Sequence, residues 1–246
     1  MERPIARWTI GNTTDHGYEC LELSIRSFSK FYNADITLAH NCDPHNNVDT
    51  IVSRLFADGI KIQLLDQRPF LNTSYITPIG VAWKLYPPRL DIERHEICID
   101  NDIIFQEPIE HLDRFFKSDC TLLLEGQSRN YGRFEKYIPP KLKINSGIYG
   151  MPPRFDMERF IKIVAGSAWE LNAKGEHAGN KTFDEQGIVA FALLNHPRYV
   201  TIPEKVVTNC ERHLIEGKGL HFVGLNKRFY HEPYRLYRSK MNKLFL

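Results

Sequence analysis

Ile97-Cys98-Ile99-Asp100-Asn101-Asp102-Ile103-Ile104-Phe105 is an apolar run broken only by Asp-Asn-Asp. Its first three residues read as a strand buried on both faces, of the kind found in the middle of a parallel sheet. Such a strand has no place for two carboxylates except at its end, where the sheet opens to solvent. In open α/β sheets that carboxyl edge is where ligands bind. Side chains of an extended chain alternate faces, so Asp100 and Asp102 point one way and Asn101 the other. Two like charges that close repel. A hard divalent cation such as Mg2+ or Mn2+ prefers carboxylate oxygen and removes the conflict. A surface turn uses the same residue types, but the strand before them favours a metal site.

Just upstream, residues 80–93 have a helical pattern interrupted by Pro87-Pro88. Proline in a helix removes a donor and clashes with the preceding turn, so a break is expected there, with Pro88 near the start of a second turn. Lys84 and Arg89 flank the break, where one or both are placed to reach an anion held by the metal. A solvated helix face is the competing reading for each of them.

Further out, the N-terminal part alternates strand and helix. Residues 4–10 read as a first strand, 17–31 as a helix, 34–39 as a second strand, 48–56 as a short helix and 59–65 as a third strand. This alternation predicts an α/β fold with a largely parallel sheet and helices on both faces. The first strand runs into Gly11-Asn12-Thr13-Thr14-Asp15, a polar loop where a nucleotide often sits in a doubly wound sheet; a plain connecting turn fits equally.

Downstream, a short helix is expected from Glu107-Pro108 through Phe116, a strand over 120–124, and a long polar and aromatic loop over 127–143. Ile144-Asn145-Ser146-Gly147-Ile148-Tyr149-Gly150 follows. Its two glycines predict a strand with close backbone approach to a neighbour. A helix over 153–164 and a polar loop over 169–181 precede Thr182. That residue is suited to cap a helix beginning Phe183-Asp184-Glu185-Gln186, whose acids also suit the helix dipole. Leu220 to Gly224 reads as a late short strand containing His221.

The 246 residues suit one large α/β domain or two small ones. With no repeat or low-complexity linker, one domain is expected, with a nucleotide-binding half (1–106), an acceptor-side half (107–226) and a basic, aromatic tail (227–246). The formal net charge of +2 gives no case for nucleic acid. The five cysteines include no C-x-x-C pair, which suits a reducing compartment and argues against a disulfide framework or a zinc ribbon. No signal peptide or membrane span is expected, and the setting reads as cytoplasmic. The sequons at Asn12, Asn72 and Asn180 are then coincidental.

Four pieces stand in order: Asp100-Asn101-Asp102, Asn145-Ser146-Gly147, Asp184-Glu185-Gln186, and His221-Phe222-Val223-Gly224-Leu225-Asn226-Lys227. Together they resemble the metal-dependent glycosyltransferases of the GT-A (Rossmann-like) fold, and most of all family eight. There, the D-x-D pair and a late histidine bind Mn2+; the histidine opens an H-x-x-G-x-x-K motif, which His221, Gly224 and Lys227 match. The resemblance covers about residues 4–230. It implies that Asp100, Asp102 and His221 hold the metal, with the Asp100–Asp102 stretch also facing the ribose. Lys227 would contact the diphosphate of a sugar nucleotide, Asn145 would lie near the donor sugar, and the start of the acidic helix would face the sugar hydroxyls or the reacting carbon. The chain departs from the family's D-Q-D at that helix. The triplet here is Asp-Glu-Gln, and Gly187 stands where an acid would fall in one alignment. The key residue is therefore open among Asp184, Glu185 and Gln186.

The implied activity is transfer of a sugar from a nucleotide sugar, a UDP-sugar, with retention, to a carbohydrate, lipid-linked or protein acceptor. An imidazole beside two carboxylates shifts the preference from Mg2+ toward Mn2+. The rivals are an inverting GT-A transferase or a nucleotidyltransferase, either of which needs a general base such as Glu185 or Asp184, and a sugar-nucleotide binder without turnover. A haloacid dehalogenase-type phosphatase fits less well, because Ile104 stands where those chains place Thr or Val. In the tail, six cations against Glu232 alone are interleaved with aromatics. That pattern suits weak contact with an anionic membrane, or aromatics packed back on the domain with solvated cations.

Overall fold

The computed structural model describes residues 2–42, 48–72, 80–166, 184–210 and 216–222, together with Tyr234 and Tyr237. The expected alternation is present: β1 (Ile5–Ile10), α1 (Asp15–Phe31), β2 (Asp35–His40), α2 (Val48–Ala57), β3 (Ile62–Asp66) and β4 (Glu96–Ile99). β5 (Ile103–Phe105), α3 (Glu110–Phe116), β6 (Thr121–Glu125), β7 (Ile144–Met151), α4 (Met157–Gly166) and α5 (Asp184–Leu194) follow. β8 (Tyr199–Ile202), β9 (Val207–Asn209) and β10 (Gly219–His221) end the described elements.

Among the described residues, seven strands form one sheet in the order β3-β2-β1-β4-β7-β6-β8, and β5-β10-β9 form a small second sheet. β1 to β4 are mutually parallel, while β7 runs antiparallel between β4 and β6. β4 thus lies where the parallel half meets the reversed strand, rather than deep within a parallel sheet. The sheet draws strands from both expected halves of the chain.

Alternation along β4 divides the core. Ile97 and Ile99 join the apolar layer beneath α1, α2 and α3, while Cys98 faces Leu123, Tyr149 and α5 on the other side. Beyond its polar first turn α5 is apolar all round, as suits a helix packed on every side, and Ile188, Val189, Ala190, Ala192 and Leu193 are buried. Gly187 is required there, because a Cβ would stand 2.3 Å from the Tyr131 carbonyl oxygen and 2.7 Å from Phe134 Cβ. That contact is the physical reason position 187 carries no acid.

Several local expectations are corrected. Residues 80–93 hold only a 3-10 turn, Gly80–Leu85, and no second helical turn follows Pro88. The 127–143 loop contains another 3-10 turn, Gly132–Tyr137. β8 and β9 had no clear signal: β8 is four residues long and begins two residues after Pro197, and β9 is three residues long. The loop over 169–181 and the cap residue Thr182 lie outside the described residues.

A candidate metal and donor site at the carboxyl edge of the sheet

Asp100, Asn101 and Asp102 do not continue β4. The chain turns there, with the Ile103 amide bonded to the Asp100 carbonyl at 3.3 Å. Extended alternation is therefore the wrong geometry. The turn nevertheless brings the two carboxylates together, and it redirects the chain into the small sheet.

That sheet delivers the histidine. β10 lies antiparallel to β5 with His221 opposite Ile103, and the Phe222 amide donates to the Asp102 carbonyl at 2.9 Å. The register sets His221 beside the acidic turn although it lies 118 positions after Ile103 in the chain. β7 completes the wall, because the Asp100 amide donates to the Gly147 carbonyl at 2.7 Å. A Cβ on Gly147 would stand 2.7 Å from His221 Cε1 and 2.8 Å from Asn145 Oδ1. The close approach expected of this strand is thus an approach to the imidazole.

One ligand atom from each of Asp100, Asp102 and His221 lies within 4.8 Å of the others. Asp102 Oδ1 and His221 Nε2 face each other at 3.3 Å. Among the described residues, Asp102 Oδ1 and His221 Nδ1 are buried without a hydrogen-bond partner. Buried polar atoms are nearly always satisfied, and two carboxylates with an imidazole are a donor set for a divalent cation of the Mn2+ or Mg2+ class. The residues present therefore fit a metal.

Lys84 stands next to this cluster, at the end of its 3-10 turn. Its Nζ lies 2.7 Å from Asp100 Oδ1, 3.3 Å from Glu185 Oε1 and 3.3 Å from the Ser146 carbonyl oxygen. Burial works against the charge, but Asp100 and Glu185 outweigh it and hold the ammonium above its ordinary range. For Glu185, burial raises the carboxyl, Lys84 pulls it back and Asp100 adds to the rise, leaving it above its ordinary value. Ser146 donates its hydroxyl to Glu185 Oε2 at 3.3 Å. Ser146 stands inside the Asn145-Ser146-Gly147 stretch, but nothing in the sequence marks it as the partner of Glu185.

The rest of the acidic helix start divides by task. Asp184 is buried and accepts from the Arg133 amide at 2.8 Å and from Arg133 Nε at 2.7 Å, which makes it an anchor for the 132–137 turn. Gln186 Oε1 accepts from the Ser146 amide at 3.2 Å, and its Nε2 donates to the Asn130 carbonyl at 2.7 Å. The Ser146 amide is free for this because the β6–β7 register breaks between Leu123 and Leu124. Asn145 Oδ1 accepts from the Gly147 amide at 2.6 Å.

Other expected site residues are placed as follows. Gly11 and Asn12 follow β1 on the same edge as the acidic turn, and a Cβ on Gly11 would stand 2.8 Å from Asn41 Oδ1. Asn101 Nδ2 donates to the Gly17 carbonyl in α1 at 3.3 Å. Arg89 is a correction. Its guanidinium turns to the opposite end of the strands, donating to the Pro152 carbonyl at 2.9 Å and the Phe155 carbonyl at 3.1 Å, with Nε 3.3 Å from Glu96. It is a structural ion-pair partner and not a donor ligand. Gly224 and Lys227 lie outside the described residues. In the tail, Tyr234 and Tyr237 are buried against Phe222, with ring centroids at 5.5 Å in both pairs. At least these two aromatics pack back on the domain.

No protein-family model matches the sequence, and no curated relative matches it. The likeness to known proteins is structural. The bifunctional glycosyltransferase WbbM matches with a TM-score of 0.64 at 12% identity, over 96% of this chain and 52% of WbbM. This chain thus spans about half the length of WbbM. The galactosyltransferase LgtC, solved with donor and acceptor sugar analogues, matches with a TM-score of 0.59 at 11% identity, over 96% of this chain and 95% of LgtC. An active-site glutamine-to-glutamate mutant of LgtC matches equally. GlyE from Streptococcus pneumoniae TIGR4 matches with a TM-score of 0.55 at 13% identity, over 99% of this chain and 63% of GlyE. The chain has the GT-A glycosyltransferase fold.

Proposed function

We propose that this GT-A chain is a metal-dependent glycosyltransferase that moves a sugar from a nucleotide sugar, a UDP-sugar, to an acceptor with retention of configuration. The observation that carries the reading is the Asp100–Asp102–His221 cluster at the carboxyl edge of the sheet, with Lys84 bridging it to Glu185. Asp100, Asp102 and His221 would hold Mn2+, with Mg2+ as the second choice. A divalent cation there supplies Lewis-acid stabilisation of the diphosphate charge that grows as the sugar bond breaks. Lys84 adds a fixed positive charge at the same place. Lys227 is assigned the same task through its match to the H-x-x-G-x-x-K motif. Gly11, Asn12 and Asn101 line the nucleotide side of the edge.

Asn145 and Gln186 would face the donor sugar, where an amide stabilises hydroxyls or an electron-poor carbon without ionising. A glutamine is an active-site residue of LgtC, which supports the choice of Gln186. Retention is supported by the state of the carboxylates on α5. Asp184 is spent on Arg133, and Glu185 is paired with Lys84 and Ser146. An inverting transferase needs a free general base to deprotonate the acceptor, and neither group is free.

A donor screen tests the proposal. The protein is incubated with Mn2+ and a panel of sugar nucleotides, and the released nucleotide is measured. Slow release of nucleoside diphosphate from one donor is expected. Release of pyrophosphate from a nucleoside triphosphate and a sugar phosphate would favour a nucleotidyltransferase, and binding without release a carrier. No described helix is long and apolar enough to cross a membrane. Weak contact of residues 227–246 with anionic lipid is part of the reading. Vesicle flotation at low and high salt, with and without the residues after Tyr230, tests it.

A further inference from the structure

Lys84 lies at the buried end of a 3-10 turn that no helix continues, so the carbonyl groups there need partners from elsewhere. Three buried side chains from three separate parts of the chain supply them. Gln67, just after β3, donates Nε2 to the Trp83 carbonyl at 2.8 Å and also to the Tyr86 carbonyl. Arg7, in the middle of β1, donates Nη1 to the Pro87 carbonyl at 2.6 Å and Nη2 to the Lys84 carbonyl at 3.4 Å. Tyr149, in β7, donates its hydroxyl to the same Lys84 carbonyl at 3.1 Å.

Arg7 is 1% exposed, and Glu96, 3.2 Å from its Nε, is fully buried. Glu96 also receives Arg89, so two guanidinium groups share one carboxylate inside the fold. Burying such charges is costly, and apolar residues of similar volume would fill the space at least as well. What an apolar residue cannot do is fix a carbonyl.

We infer that Arg7 and Tyr149 are positioning residues for Lys84. They grip its backbone carbonyl from two strands, and so set its ammonium between Asp100 and Glu185. Neither touches the candidate ligand cluster; each acts through Lys84. The inference rests on the reading of Lys84 as a donor-binding cation, but the clamp itself can be tested without any donor.

The first measurement is acylation of lysines by an activated acetate ester, followed by mass spectrometry. Lys84 should be labelled far more slowly than the exposed Lys61, Lys141 and Lys205. Tyr149→Phe keeps the ring in the core and removes the hydroxyl. Arg7→Lys keeps a cation for Glu96 and removes the bonds from Nη1 and Nη2. Either variant should raise Lys84 labelling severalfold while the three exposed lysines stay unchanged. Equal rises at all lysines would indicate general loosening and overturn the inference, as would an unchanged Lys84.

The second measurement is a double-mutant cycle on UDP affinity with Mn2+. Tyr149→Phe alone should weaken binding by about three- to tenfold, the range of one lost hydrogen bond. In a Lys84→Met background the same change should have no further effect. A full additive loss in that background would mean that Tyr149 acts by another route. Wild-type protein that fails to bind UDP would sink the donor-site reading, while the labelling result would still decide the clamp.

Discussion

Lys84 Nζ lies 2.7 Å from Asp100 Oδ1, so a buried ammonium rests against one of the three candidate metal ligands. The same ammonium is the main influence holding down Glu185, whose carboxyl burial otherwise pushes up. Lys84→Met therefore leaves burial and Asp100 opposed by the Ser146 hydrogen bond without the ammonium, and Glu185 should rise further. A carboxyl raised above its unfolded value of 4.5 binds the proton more tightly in the folded chain. Its stabilising effect is complete below that value and is lost as pH rises through the folded pKa. Urea unfolding of Lys84→Met should thus come nearest to wild type near pH 4.5 and fall progressively behind toward neutrality. A gap that stays constant over that window would mean that Lys84 and Glu185 are not coupled.

Asp184 should prove structural. Its carboxylate is buried and bonded to the amide and the guanidinium of Arg133. Asp184→Ala should cost about 2–3 kcal/mol of stability, the range for a hydrogen-bonded charged group that loses its partner. The denaturant midpoint should fall while the slope stays constant. A variant with wild-type stability but no turnover would move Asp184 into the catalytic machinery.

Gly147→Ala places a methyl group against His221 Cε1 and Asn145 Oδ1. Overpacking of this kind costs about 1–3 kcal/mol, and here the imidazole must shift to relieve it. Mn2+ affinity should fall by more than the loss in stability would suggest. Isothermal titration with Mn2+ alone checks this, and unchanged affinity would place the histidine away from the ion.

Much of the fold was legible because hydrophobic periodicity survives in sequence. β1 to β4, α1, α2 and α5 fall within a few residues of their expected places. The acidic turn was legible for a related reason, since Asp100 and Asp102 interrupt an apolar run that has no other use for charge. Their geometry was misjudged: the convergence comes from a turn, and a turn and a strand end share the same composition. Arg89 is placed away from the acidic turn by the fold, which its sequence position does not show, because a cation near a site and a cation under a sheet look alike in one dimension. Arg7, Gln67 and Tyr149 left no usable signal, because their partners are backbone carbonyl groups far away in sequence. Gly187 was visible as a departure from a motif, but its cause, the Tyr131 carbonyl beneath it, depends on packing.

The most direct test of the metal and donor site is calorimetric titration of UDP into wild-type protein and Asp102→Asn, each with Mn2+ and with a chelator. Asp102 is the cleaner choice of the two acids, because Asp100 also carries the ion pair to Lys84. Wild type should bind UDP with Mn2+ and lose most of that affinity in the chelator. Asp102→Asn should lose more than the roughly 10- to 100-fold typical of a missing outer partner of a metal ligand, with thermal unfolding close to wild type. Equal affinity in the two proteins, or no dependence on Mn2+ in either, would contradict the assignment of Asp100, Asp102 and His221 as a metal site for a nucleotide-sugar donor.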